Sequence, residues 1–204
     1  VKLSDLITPD TSAGTALFLQ WEGYHVFSIP QRELARSDDR VRFFGVGGKR
    51  LGQETLIECA LRESIEEIGA VVAQLESAPQ TYFLSADGTL KSIELQEDEI
   101  RPRLILEKRQ HTLYGSMANQ DAPYYLVAFD ASLCGKPVPS GEIAGILYLK
   151  DTHLSLLRRL NQLTMADILH HGARIEYQPD QSIDYSTILI PHGTAKFLIQ
   201  QLPG

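Results

Sequence analysis

Cysteine, long apolar runs and positive charge are all scarce in this chain. Its 204 residues include two cysteines, Cys59 and Cys134. Two cysteines cannot build a disulfide framework, and both are read as free thiols of a reducing cytoplasm. No stretch of 18 or more apolar residues occurs, so no segment is expected to span a membrane. The opening VKLSDLITPD lacks the basic and apolar regions of a secretory signal, and none is expected. Nineteen Lys and Arg against 26 Asp and Glu leave a net charge of −7, which argues against a broad nucleic-acid footprint. It does not argue against nucleotides, because a metal ion can neutralise phosphate. The six histidines show neither H-x-x-x-H nor H-E-x-x-H spacing. His170 and His171 are adjacent near a helix end, where their side chains diverge, and zinc is not expected there. A G-x-S-x-G elbow is missing, so a serine nucleophile has no support. Repeats and low-complexity linkers are also missing, and one domain over residues 1–204 is the simplest organisation.

Against this background, Gly48 to Ala70 stands out. Gly48, Glu54, Arg62, Glu63, Glu66, Glu67 and Gly69 recur at fixed spacings, G-x5-E-x7-R-E-x2-E-E-x-G. At average residue frequencies a chance match is about 10⁻⁸ per starting point. Thr55 followed by Glu58 reads as a capping box, and Gly69 as the residue that turns left-handed just past a helix C-terminus. Between them the apolar period predicts a helix over Leu56 to Ile68. At about 100° per residue, Ile57, Ala60, Leu61, Ser64, Ile65 and Ile68 share an arc that should face the core. Glu58, Arg62, Glu63, Glu66 and Glu67 take the opposite arc. Glu63, Glu66 and Glu67 stand at i, i+3 and i+4, so their carboxylates share one patch. Three like charges there resist full ionisation unless a cation joins them, and all-oxygen ligands select Mg²⁺ or Mn²⁺ over zinc. The bland alternative is a solvated helix face with i,i+4 pairing, for which Glu58–Arg62 is the candidate.

The pattern resembles the signature box of the Nudix hydrolases. The resemblance implies an α+β fold, an α/β/α sandwich with a mixed β-sheet flanked by helices. It implies hydrolysis of a diphosphate linkage in a nucleoside diphosphate joined to another group X. Carried over residue by residue, Glu63, Glu66 and Glu67 are metal ligands, and one of them, or a glutamate from a late loop, handles the attacking water. Glu142, in PVPSGEIAG, is the candidate for that late glutamate. Arg62 is expected to pair with Glu54 and brace the helix, with Gly69 ending it. Gly47 and Gly48 should let the backbone approach a phosphate, with Lys49 and Arg50 in reach of its oxygens. Ser64 departs from the family pattern, which has an aliphatic residue there; this touches packing and leaves the ligand set whole. Many relatives are homodimers. Subfamily marks are not met: Pro79 and Tyr82 lie too near the box, and the coenzyme A and NADH motifs are absent. Some relatives sense nucleotide metabolites without turnover, but they commonly lose box carboxylates or add a basic domain, and this chain does neither.

Elsewhere the patterns predict two strands in Thr15 to Gln31 around Glu22–Gly23, a strand over Arg42 to Gly48, and a hairpin over 81–95 with Asp87–Gly88 as a type I′ turn. Further strands are expected at Arg103 to Arg109, Pro123 to Ala131 and Gly145 to Lys150. The part from about 152 to 204 reads as mainly helical, with helices at Thr152 to Leu163 and Met165 to His171. A strand, a turn and a last helix should follow over Ser186 to Leu202. Tyr124, Tyr125, Trp21 and Phe44 are aromatics able to stack on a base, although strand aromatics more often serve the core. The acidic run Glu97, Asp98, Glu99 is read as a solvated face.

Overall fold

The computed structural model describes residues 2–36, 38–96, 100–109, 123–160 and 162–201; the acidic run Glu97–Glu99 lies outside them. Strands and helices are numbered along the chain, where α1 (Leu3–Leu6) and α2 (Gln31–Leu34) are single turns. The described residues form two compact units, the first made of Val1–Leu17, Gly47–Arg62 and Gln74–Ala131, the second of Phe18–Val46, Glu63–Ala73 and Ser132–Gly204.

The first unit is built on a mixed sheet. Its strands are β1 (Ala13–Phe18), β5 (Val72–Glu76), β6 (Thr81–Leu84), β7 (Leu90–Ile93), β8 (Leu104–Arg109) and β9 (Pro123–Leu133). They run in the order β1-β9-β8-β6-β7, with β5 also on β9. β6 is parallel to β8, while β8–β9 and β6–β7 are antiparallel. Leu104, Ile105, Val127, Ala128 and Phe129 are fully buried. They come from both faces of β8 and β9, as central strands require.

The second unit carries β2 (Gln20–Trp21), β3 (Tyr24–Pro30), β10 (Ile143–Leu149) and β11 (Arg174–Tyr177) in the antiparallel order β11-β10-β3-β2. A parallel pair, β4 (Arg40–Phe43) with β12 (Ile188–Pro191), forms a ladder of its own that meets β3 where Ser28 and Phe44 exchange backbone hydrogen bonds at 2.8 and 2.9 Å. Helices α4 (Asp151–Arg159), α5 (Met165–His170) and α6 (Thr194–Gln201) supply Leu154, Ile168 and Leu198 to a core shared with Phe27, Phe43 and Leu147. β10 is buried along its whole length, which is why it reads as a continuous apolar run. No described helix is long and apolar enough to cross a membrane.

The part from about 152 to 204, expected to be mainly helical, also carries β11, which pairs with β10, and two turn expectations change in detail. The turn at Glu22–Gly23 is present, with φ of +50° and +77°, the pair of positive values a type I′ hairpin needs. The strand before it is broken at Leu19, however: β1 joins the first sheet and only β2 pairs with β3. At Asp87–Gly88 the turn is of another kind. Gly88 N–H donates to the Ser85 carbonyl (2.9 Å), Ser85 N–H donates to the Thr89 carbonyl (3.0 Å), and Gly88 alone is left-handed at φ +88°. This is a three-residue loop closed by a left-handed glycine. Asp87 is better used as an acceptor, taking Ser85 Oγ at 2.6 Å and Thr89 N–H at 2.9 Å, which hold its carboxyl down at about 2.

Candidate active site

The helix α3 spans Leu56–Ile68, the predicted bounds, and the chain passes along it from the first unit into the second. Its start is fastened as the capping box requires. Thr55 N–H donates to Glu58 Oε2 (2.8 Å), and Glu58 N–H donates to Thr55 Oγ1 (3.1 Å). The Thr55 N–H, and after it the Thr55 hydroxyl donating to the same Oε2 at 3.0 Å, hold the Glu58 carboxyl below its ordinary range and commit it to the cap.

Arg62 is aimed instead at Glu54. Its Nε donates to Oε1 at 2.6 Å and its Nη2 to Oε2 at 3.1 Å, a two-point fork, while Nη2 also reaches the Lys49 carbonyl at 3.0 Å. Leu51 N–H adds a further bond to Glu54 Oε2 at 2.9 Å. One arginine thereby ties the loop before α3 to the helix itself. The Arg62 bonds, with Leu51 second, lower the Glu54 carboxyl below its ordinary value. A carboxylate so depressed stabilises the fold above its unfolded pKa, and that contribution is lost as pH falls through the folded value. Arg62→Ala is therefore expected to lower the melting temperature at pH 7 by a few degrees and to narrow that difference in acid. About tenfold in kcat/KM should go with it, because the loop and helix lose register. Equal melting curves at pH 7 would show the brace to be solvated and weak.

The glycine loop is tight for a reason internal to the first unit. Gly47 has φ +143°, and a Cβ there would stand 2.2 Å from the Thr15 carbonyl oxygen and 2.7 Å from Ala16 Cα. Gly48 accepts Thr15 N–H at 2.8 Å through its carbonyl. What Gly47 approaches is the backbone of β1. Gly14, within β1, is a second such position. A Cβ on it would meet the Tyr124 hydroxyl at 2.1 Å and the Gly48 carbonyl at 2.4 Å. A glycine inside a strand pattern was the available signal.

In the second unit, the end of α3 carries Glu63, Glu66 and Glu67. The last-turn carbonyls of a helix have no partner within it, and the loop before β10 supplies them. Val138 N–H donates to the Ile68 carbonyl (3.1 Å), Ser140 N–H to that of Glu67 (2.9 Å), and Ser140 Oγ to that of Glu66 (2.7 Å). Gly141, at φ +56°, passes so close that a Cβ would stand 2.8 Å from the Glu66 carbonyl oxygen. Gln31 and Gln178 both donate through Nε2 to the Gly141 carbonyl, at 3.1 and 3.2 Å, and Gln31 N–H bonds the Glu142 carbonyl at 2.8 Å. The loop that bears Glu142 is thus pinned against the helix turn bearing Glu66 and Glu67. Glu142 itself is exposed. Gly69 ends the helix at φ +81° as expected.

Three readings need correction. The buried arc of α3 is Leu56, Cys59, Ala60, Ser64 and Ile68, whereas Leu61 and Ile65 are exposed. The helix is rotated toward its acidic side, so Glu63 and Glu67 are partly buried while Glu66 stays exposed. Arg50 does not face outward. It is buried, and its Nη2 donates to the carbonyls of Thr8 and Pro9 at 2.8 Å each and to that of Thr11. Its guanidinium is spent on the N-terminal segment, while Lys49 is exposed on the loop. Arg50→Met should cost about 2 kcal/mol in urea unfolding, by stranding those carbonyls, and leave substrate affinity unchanged; an affinity loss without a stability loss would return Arg50 to the site. Phe44 packs against His192, ring centroids 5.0 Å apart, and under Arg32, as strand aromatics more often do. The Tyr125 hydroxyl donates to Glu107 at 3.3 Å.

Glu63, Glu66 and Glu67 are the donor type a hard divalent cation takes, set on one helix at i, i+3 and i+4. Among the described residues no three acidic, histidine or cysteine side chains are already gathered to hold an ion.

No family model matches the chain, and no curated protein is similar to it. The solved structures it resembles include NUDIX and MutT hydrolases. A NUDIX hydrolase from Nitrosomonas europaea aligns over 87% of this chain and 99% of its own, at 11% identity and TM-score 0.44. A MutT NUDIX hydrolase from Burkholderia pseudomallei aligns over 95% and 99%, at 11% identity and TM-score 0.41. A second NUDIX hydrolase from Nitrosomonas europaea aligns over 70% of this chain and 59% of its own, at 13% identity and TM-score 0.39. With each of these scores below 0.5, what the site can do rests on the box and its geometry.

Proposed function

We infer that the chain is a single-domain member of the Nudix superfamily, a Mg²⁺- or Mn²⁺-dependent hydrolase of the diphosphate linkage in a nucleoside diphosphate joined to another group X. One observation carries this reading. The Arg62–Glu54 fork at one end and the Ser140–Gly141 loop at the other hold the single helix that presents Glu63, Glu66 and Glu67. A solvated surface helix has no need of such anchoring.

In this reading Glu63, Glu66 and Glu67 hold the cation. When bound, it supplies charge compensation for the phosphate oxygens and acidifies water. The water oxygen bonds to one phosphorus, the bridging P–O bond breaks, and a nucleoside monophosphate and phosphorylated X leave. A glutamate of this set, or Glu142, takes the water proton. Gly47 and Gly48 shape the loop beside the phosphates, and Lys49 offers it a cation. The free thiols of Cys59 and Cys134 support a reducing compartment such as the cytoplasm, and a homodimer is the assembly common among relatives.

The test is purified protein with Mg²⁺ or Mn²⁺ against ADP-ribose, NADH, coenzyme A, dinucleoside polyphosphates, nucleotide sugars and nucleoside triphosphates. Turnover that chelation abolishes supports the hydrolase, and the products identify X. Silence across the panel, with tight nucleotide binding by calorimetry, would move the reading to a metabolite sensor.

A further inference from the structure

β10 lies between β3 and β11 and runs antiparallel to both, so the ends of its two neighbours flank its beginning. Gln31 is the residue that follows β3, and Gln178 the one that follows β11. Glu142 stands just before β10, in a four-residue turn that Ile143 N–H closes on the Ser140 carbonyl at 3.1 Å. The β3–β10 register shifts between Ile143 and Gly145, a shift of the kind by which bulges re-aim a side chain. All of these residues, with Glu66 and Glu67, belong to the second unit.

The two glutamines converge on one atom. Both Nε2 groups donate to the Gly141 carbonyl, at 3.1 and 3.2 Å, and Gln31 Nε2 lies 3.5 Å from Gln178 Oε1. Gln31 also donates its backbone N–H to the Glu142 carbonyl at 2.8 Å, and Gln178 its own to the Ala144 carbonyl at 2.9 Å. The Gly141 carbonyl belongs to the peptide plane before Glu142, and the Glu142 carbonyl to the plane after it. A peptide unit is rigid, so holding both planes sets φ and ψ of Glu142 and with them the direction of its Cα–Cβ bond. Two donors also occupy both lone pairs of the Gly141 oxygen, which fixes how that plane tilts. Gln31 is exposed, and water there would satisfy the carbonyl without the entropy cost of ordering two long side chains. Backbone satisfaction alone does not account for the pair. On its other side the same turn is fastened through Ser140 to the carbonyls of Glu66 and Glu67.

We propose that Gln31 and Gln178 are positioning residues for Glu142, setting the direction from which its carboxylate serves the end of α3 that bears Glu66 and Glu67. This rests on the pyrophosphohydrolase reading and deepens it, because it makes Glu142 the glutamate that takes the water proton. The proton passes to a Glu142 carboxylate oxygen as the water oxygen bonds to phosphorus, and the bridging oxygen leaves with the electron pair of the broken P–O bond.

The test is a mutant cycle on the panel substrate turned over fastest, at saturating Mg²⁺, with melting curves on the same samples. Gln31→Met together with Gln178→Met should lower kcat about ten- to a hundredfold, the cost of a misplacement of about 1 Å, and leave KM within about twofold. Glu142→Gln should lower kcat at least as far. Added to Glu142→Gln, the paired replacement should cost no more than about a further twofold, because no carboxylate is left to aim. Without substrate, the Ile143 amide should exchange faster in the paired replacement, because its turn has lost two ties. Losses that multiply in the combined variant overturn the proposal, since the glutamines then act elsewhere. So does a kcat near the wild-type value in the paired replacement or in Glu142→Gln, and so does an Ile143 amide exchanging at the wild-type rate. If the paired replacement melts below the assay temperature, Gln178→Met alone carries the test: a several-fold loss in kcat is expected, and an unchanged kcat overturns the proposal. When the wild type hydrolyses the panel and one of these contrary results appears, this inference alone fails. When the wild type hydrolyses nothing, the hydrolase reading fails and takes this one with it.

Discussion

Glu67→Gln is expected to lower kcat by about 10²–10⁴-fold, the range for loss of a metal-linked or general-base carboxylate, with an unchanged fold. Glu66→Gln should behave the same way. The two halves of that expectation come from different atoms of the same residues. What fastens the loop before β10 is the carbonyl of Glu66, taken by Ser140 Oγ, and that of Glu67, taken by Ser140 N–H. Glutamine keeps both carbonyls and the helix, and removes the charge a cation needs. Far-UV circular dichroism and melting curves should match the wild type. Near-normal turnover in both variants would take these residues out of the metal site. A collapse of stability in either would mean the side chain, not the backbone, holds the turn. Ser140→Ala separates the two roles from the other side, since it leaves every carboxylate in place and should loosen the Glu142 loop.

Gly47→Ala should have the largest effect on stability, more than about 3 kcal/mol, by combining strain at positive φ with a core clash. Its φ of +143° is one L side chains rarely adopt, and the atoms a Cβ would meet, Thr15 O and Ala16 Cα, are backbone that cannot swing aside. Gly52→Ala is the comparison. Gly52 has φ +51°, but nothing lies within 4 Å of a Cβ there, so only the conformational cost of about 1 kcal/mol remains. Urea midpoints of the two variants measure the difference. If Gly47→Ala costs no more than Gly52→Ala, the loop can retreat from β1, and the closeness of Gly47 to Thr15 is not a structural requirement.

Much of the helix was legible from local chemistry. Thr55, Glu58 and Gly69 act within a turn of their own positions, so caps and bounds follow from neighbours in sequence. The Glu54–Arg62 pairing came from family resemblance, and the geometry agrees with it. The failures concern partners far along the chain. Arg50 beside the glycines has the look of a phosphate ligand, yet the carbonyls of Thr8, Pro9 and Thr11, some forty residues earlier, claim it. Leu61 and Ile65 fit the apolar period, but an arc of six apolar or small residues is wider than the contact made, and the helix turns toward its acidic side. The aromatics could not be sorted by sequence, because Tyr124 and Tyr125 differ only in the face that the register with β8 assigns them.

By itself, then, the sequence determined the span of α3, its caps, the carboxylates at i, i+3 and i+4 and most strands, because each depends on residues within a few positions. Tertiary structure decided which loop closes the last turn of that helix, why Gly14 and Gly47 must lack a side chain, where the Arg50 guanidinium is spent, and that Gln31 and Gln178 meet at the Gly141 carbonyl. Those are relations between segments tens of residues apart, and only the pairing of strands and the docking of loops brings their atoms together.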